Sequence, residues 1–178
     1  SRKSEIIVLM PILLDFISLM NEKYSDMIYV FHSTKEYSEF LKSFIDKSNL
    51  SNCEIVSDDK IKSHILQKSI FAVAKSGTVS LEISNAKIPS IILYKMGLIN
   101  FLIVKSLVKT KYANIINFAA NEEIIPELLQ SNCNSQNIFK HVSNFLEDPN
   151  KIKDQVNKVQ NVLDKFKING SSSELASL

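Results

Sequence analysis

Three stretches of this 178-residue chain combine residue types and spacing that could do chemistry. The most informative is Ala74-Lys75-Ser76-Gly77-Thr78-Val79-Ser80-Leu81-Glu82. An apolar strand pattern ends at Ala74, a turn with one glycine follows, and a helical pattern starts at once. Such a turn gathers free backbone N–H groups and the positive end of a helix at one point, which suits a diphosphate. Gly77 lets an anion approach the backbone, and Ser76 and Thr78 add hydroxyl donors. Glu82, one turn further on the Thr78 face, has a carboxylate able to accept from two ribose hydroxyls. The second stretch, Ser1-Arg2-Lys3-Ser4-Glu5, opens a helix, where the guanidinium of Arg2 could grip phosphate in bidentate fashion. The third is Asn117 followed by Glu123-Ile124-Ile125-Pro126-Glu127-Leu128-Leu129-Gln130, at what reads as the carboxyl end of a strand.

Each stretch also has a plain structural reading. Ser or Thr before an apolar run with an acid in the first turn is an ordinary capped helix. Arg2 could sit on a solvated charged end, and Pro126-Glu127 could simply start a helix. His32, His64 and His141 are well separated, and none pairs with an evident nucleophile, so no general base is assigned. Cys53 and Cys133 lack metal-ligand spacing and read as reduced thiols. No Asp/Glu/His cluster suggests a metal, and no cofactor is expected.

The elements that must position these residues alternate between helix and strand. Helical spacing covers 3–21, with Pro11 as an expected kink, then 35–47, 59–67 and 77–86. Short apolar runs at 27–32, 53–57, 69–74 and 90–94 read as buried strands, and 113–117 as a last short one. From Pro126 onward the pattern reads as helix, broken at Pro149-Asn150 and ended near Asn169-Gly170. Alternation of this kind implies α/β architecture with a doubly wound parallel sheet. A doubly wound sheet starts with a strand feeding its first glycine-rich turn, whereas here a helix comes first. The first and usually central strand is therefore expected to be missing, leaving its neighbours with unpaired edges. The division expected is 1–148 for the Rossmann-like domain and 149–178 for terminal helices.

Composition sets the outer bounds. With 45% hydrophobic residues the chain can bury a real core, and a formal net charge of +2 gives no case for nucleic acid. No continuous apolar run reaches the roughly 20 residues a membrane span needs. Residues 98–108 are apolar around most of a helix and end among Lys105, Lys109 and Lys111, which fits a core helix or one dipping into a lipid interface. The start on Ser1 suggests numbering that begins inside a longer protein.

Taken together, the motifs resemble the C-terminal half of bacterial lipid-A-disaccharide synthases from Ser1 almost to the end of the chain. Ser1-Arg2-Lys3-Ser4-Glu5 is similar to the family's first C-domain loop, without its preceding glycine. Ser76-Gly77-Thr78 with Leu81-Glu82 resembles the donor-phosphate loop. Tyr94-Lys95-Met96, Leu107-Val108-Lys109-Thr110-Lys111-Tyr112, and Asn117 with Glu127-Leu128-Leu129-Gln130 resemble further family blocks. Glu122 stands where many relatives carry arginine.

The resemblance implies the C-terminal domain of a GT-B glycosyltransferase, inverting and metal-independent. It implies transfer of 2,3-diacylglucosamine from a UDP-linked donor to 2,3-diacylglucosamine 1-phosphate, with release of UDP. The residues expected to bind the UDP-sugar are Arg2, Ser76, Gly77, Thr78, Glu82, Asn117, Glu127 and Gln130. The general base is expected in an N-domain, so this fragment alone is expected to be inactive. Implied partners are the donor, a lipid acceptor and the inner-membrane surface of a Gram-negative-type bacterium, on its cytoplasmic side, with a homodimer left open. Two alternatives stand beside this: a non-catalytic remnant that binds nucleotide weakly or not at all, and another UDP-sugar enzyme of the same fold.

Overall fold

The computed structural model describes residues 3–95 and 111–168. Within them, five short strands and seven α-helices alternate: α1 (Lys3–Lys23), β1 (Tyr29–His32), α2 (Lys35–Ile45), β2 (Cys53–Val56), α3 (Asp59–Lys68), β3 (Ala72–Lys75), α4 (Val79–Asn85), β4 (Ser90–Tyr94), α5 (Ile115–Ala120), β5 (Glu127–Leu129), α6 (Ser135–Leu146) and α7 (Pro149–Ile168). All strand pairs are parallel, as the helix–strand alternation predicts.

The strands form two sheets rather than one. β1 pairs with β2, and β3-β4-β5 form the second sheet with β4 in the middle. Among the described residues the outer edges of β1 and β3 have no partner strand. Ile28, Val30 and Ile70, at or just before those strands, are exposed. Both strands pack under α1: Tyr29 and Phe31 from β1 and Phe71 and Val73 beside or in β3 meet the cluster of Phe16, Ile17 and Met20. Among the described residues the two sheets fit a doubly wound arrangement with no strand paired to the outer edges of β1 and β3.

α1 forms because Ile6, Met10, Leu14 and Ile17 recur at helical spacing and are buried, with Phe16 and Met20 widening the stripe. Pro11 lies inside the helix on its exposed side, so the bond it removes faces water. Among the described residues α1 alone is long and apolar enough to cross a bilayer, but its apolar stripe is packed against β1, β4 and α6. Continuous runs underestimate it because Asp15 and Ser18 interrupt the sequence while the helix keeps them off the packed face.

The second sheet is covered on its other face by Ile83 and Ile88 around α4, Ile116 of α5, and Val159, Val162 and Leu163 of α7. Gln155 fixes α7 to the sheet edge-on. Its Oε1 accepts from the Ser90 N–H at 2.7 Å, and its Nε2 donates to the carbonyls of Ser90 at 3.0 Å and Ile124 at 3.3 Å. The helix from Pro149 thus shares the core of the preceding residues.

Two expectations need correction. Residues 113–117 are not a strand: Asn114 caps α5, its Oδ1 accepting from the Ile116 N–H at 2.9 Å. Nor does a helix begin at Pro126. Residues Glu127–Leu129 join the sheet beside β4, and the helix waits until Ser135, where Asn134 caps it. In each case a polar cap or a parallel neighbour outweighed the local apolar pattern. Residues 98–108 lie outside the described residues.

Candidate functional site

The carboxyl ends of the strands converge on one region. β3 ends at Lys75, whose ammonium meets Glu5 of the first turn of α1 at 2.5 Å. Next comes the turn Ser76-Gly77-Thr78 and then α4. Gly77 has φ +154°, which side chains resist, and a Cβ placed there would meet nothing within 4 Å. Gly77 is required by its backbone angle, and the space in front of it is open. The Thr78 side chain makes no capping bond, so the plain helix-cap reading is not what this turn does. Ser80 bonds back to the Gly77 carbonyl at 2.7 Å and stiffens the turn.

In front of the turn lies a cleft of about 210 Å³ lined by Ser76, Gly77, Thr78, Leu81, Ala113 and Ile115. Its two walls are tied together. Ser76 Oγ donates to the Ala113 carbonyl at 2.6 Å. Behind Ala113, the Glu127 carboxylate accepts from the N–H groups of Ala113 at 2.7 Å and Asn114 at 3.0 Å, and from the Asn117 side-chain amide at 2.8 Å. Asn117 Oδ1 in turn accepts from the N–H groups of Ile124 and Ile125 at 2.9 and 2.8 Å, and its Nδ2 also reaches the Ile125 carbonyl at 2.6 Å.

The sequence-predicted residues therefore separate into groups. Ser76, Gly77 and Thr78 line the cleft. Asn117 does not: it is fully buried and its amide is occupied by the chain itself, because it folds the 121–126 loop onto α5. Glu127 stands directly behind the cleft wall with its carboxylate turned to the Ala113-Asn114 backbone. Gln130 follows β5 in a left-handed conformation, φ 50°, that starts a 3₁₀ turn. Glu82 is half-exposed and forms an ion pair with Lys62 of α3, outside the cleft lining. Arg2 lies outside the described residues, as do Met96, Lys109 and Thr110. Lys95 reaches the Cys133 carbonyl at 3.1 Å. Glu122 pairs with Lys158 of α7 at 3.2 Å, giving its negative charge a local partner.

Sequence reasoning missed Ala113, Ile115, Lys62 and Lys75. The first two lack any chemical signature and matter through their backbone and shape. The lysines carry no motif signal, and their roles emerge only from their ion pairs, Lys62 with Glu82 and Lys75 with Glu5. His32, at the end of β1, sits 3.7 Å from Asp59, and burial is the main cause that lowers its pKa. Lys62 lowers it further, while Asp59 and Glu82 pull the other way. Among the described residues no group of three or more His, Cys, Asp or Glu side chains could hold a metal ion.

A parallel α/β domain with a glycine turn and a cleft at the carboxyl ends of its strands belongs to the Rossmann-like class of nucleotide-binding folds. Comparison narrows this: residues 1–177 match the family model Lipid-A-disaccharide synthetase, and the chain belongs to that family. Among curated relatives, the lipid-A-disaccharide synthase of Rickettsia prowazekii (strain Madrid E) is 34% identical, aligned over 99% of this chain and 46% of its own length. That of Persephonella marina (strain DSM 14350 / EX-H1) is 33% identical over 92% and 44%, and that of Sulfurihydrogenibium sp. (strain YO3AOP1) 32% over 87% and 42%. The chain spans about half the length of the curated relatives it matches.

Proposed function

We propose that this chain is the donor-binding half of a lipid A glycosyltransferase. In the proposed reaction 2,3-diacylglucosamine passes from its UDP-linked donor to 2,3-diacylglucosamine 1-phosphate, with inversion and without a metal. The observation that carries this reading is the cleft in front of Gly77, bounded by Ser76 and Thr78 on one side and by Ala113 and Ile115 on the other. The diphosphate would lie against the Ser76–Thr78 turn. There the Thr78 hydroxyl, which makes no capping bond, and the main chain of the turn would meet the charge that develops on the leaving UDP. Glu82 would take the ribose hydroxyls, and Arg2 would add positive charge from the start of α1. Glu127 and Asn117 serve the site by holding the opposite wall, and Gln130 follows the same segment.

The general base is assigned to an N-domain, so chemistry would need both halves, at the cytoplasmic face of an inner membrane where the diacylated substrates reside. Calorimetric titration of UDP into the purified chain tests the reading. Saturable heat, weakened by Ser76→Ala and by Glu82→Ala, supports it. No heat at millimolar UDP favours the non-catalytic remnant instead.

A further inference from the structure

Glu82 lies at the carboxyl edge of the sheet in company that no motif predicts. Lys62 of α3 reaches across to its Oε2, and the Lys62 side chain is only 15% exposed while that of Glu82 is 49% exposed. A lysine this covered has little freedom to wander, whereas a half-exposed glutamate without a partner would sample many rotamers. α3 is itself fixed at this end by Asp58, whose carboxylate accepts from the Lys60 N–H at 2.7 Å and the Ile61 N–H at 3.4 Å. His32 and Asp59 complete the surroundings, and the fields of Lys62 and Glu82 both reach His32. The ammonium engages one carboxylate oxygen, which leaves Oε1 to accept from another group.

From this geometry we infer that Lys62 is a positioning residue for nucleotide binding, holding the Glu82 carboxylate in the orientation that accepts a ribose hydroxyl. The inference rests on the donor-binding reading above and adds the residue that makes its ribose contact selective. Lys62 itself touches no part of the nucleotide; it acts through Glu82. An ammonium on one oxygen fixes the carboxylate plane and the side-chain rotamer, so that less order has to be imposed when the sugar arrives.

The test compares UDP with 2′-deoxy-UDP by calorimetry on the full chain, in wild type, Lys62→Met, Lys62→Arg, Glu82→Gln and the Lys62→Met/Glu82→Gln double variant. Wild type is expected to favour UDP by about tenfold, the size of one hydrogen bond to a charged group. Lys62→Met should cut that preference to roughly threefold or less, and Lys62→Arg should restore it. The double variant should discriminate no worse than Glu82→Gln alone, because both changes remove one device. A structural role for Lys62 would lower affinity for both nucleotides equally and leave their ratio intact. If wild type binds both nucleotides alike, or neither, the ribose contact fails and the Lys62 role with it. If wild type discriminates and Lys62→Met still does so fully, the Lys62 role alone is overturned. Should Lys62→Met not fold, the pair Glu82→Gln and Lys62→Arg decides: loss of selectivity in the first and retention in the second are required.

Discussion

Ser76 and Glu127 grip the same residue from opposite sides: the Ser76 hydroxyl bonds the Ala113 carbonyl at 2.6 Å, and the Glu127 carboxylate takes the Ala113 N–H at 2.7 Å. The two walls of the cleft are therefore mechanically one unit, although 37 residues separate Ser76 from Ala113 in sequence. Replacing Ser76 with alanine removes a single neutral bond and should cost about 1 kcal/mol of stability. Its effect on UDP affinity should be larger than that modest loss suggests, since the bond that ties the two walls of the cleft vanishes. Denaturant melts alongside calorimetry check this, and equal affinity in a variant of normal stability would remove Ser76 from the site.

Asn117 should behave in the opposite way. It is fully buried, and Asn117→Ala would strip the Ile125 N–H of its side-chain acceptor and take one bond each from the Ile124 N–H, the Ile125 carbonyl and the Glu127 carboxylate. A loss of roughly 3 kcal/mol or more is expected. Thermal unfolding should show it at once, with UDP affinity recovering at temperatures where the variant is folded. A variant that melts like wild type yet loses UDP would return Asn117 to direct ligand contact.

Stability should fall on acidification. Burial is the main cause that lowers the pKa of both His32 and His141 from the ordinary 6.5. A depressed histidine contributes stability that is complete above 6.5 and is lost as pH drops through its folded value, because the unfolded chain then binds more protons. Melting temperatures between pH 8 and pH 5 should decline below about 6.5. The double variant His32→Gln/His141→Gln should flatten the decline, and an unchanged slope would place its origin elsewhere.

Backbone exchange should report the open sheet edges. Ile92 of β4 lies between two strands, paired with Ala74 and with Glu127, whereas β1 and β3 each have one neighbour among the described residues. Hydrogen exchange in the chain is expected to be slowest at Ile91, Ile92 and Leu93 and markedly faster on the outward N–H groups of β1 and β3. Equal protection of all strands would mean that something fills the gap between the sheets.

Much of the fold was legible because buried parallel strands announce themselves as apolar runs. Ser90–Tyr94 has the bounds that SIILY after a proline suggests, and the helix over Lys35–Ile45 follows from Tyr37, Leu41 and Ile45. The Ser76–Thr78 turn was legible because a lone glycine between strand and helix has few other uses. The region after Tyr112 was less so. Asn114 and Asn117 look alike in sequence and both are buried, yet one caps a helix and the other holds the 121–126 loop, and only their partners distinguish them. The strand Glu127–Leu129 was hidden because three residues carry no period, and its place is set by β4. Lys62 gave no signal at all, since an ion pair across two helices depends on how β2 and β3 place α3 and α4.

The central claim is that a nucleoside diphosphate lies in front of Gly77. It is tested most directly by titrating UDP into the ¹⁵N-labelled chain and following amide shifts by NMR. The account predicts that the largest shifts fall on Ser76, Gly77, Thr78, Leu81, Ala113 and Ile115, and that Gly77→Val abolishes them while the rest of the spectrum stays folded. Saturable shifts centred elsewhere, or none in this group at millimolar UDP, would contradict it.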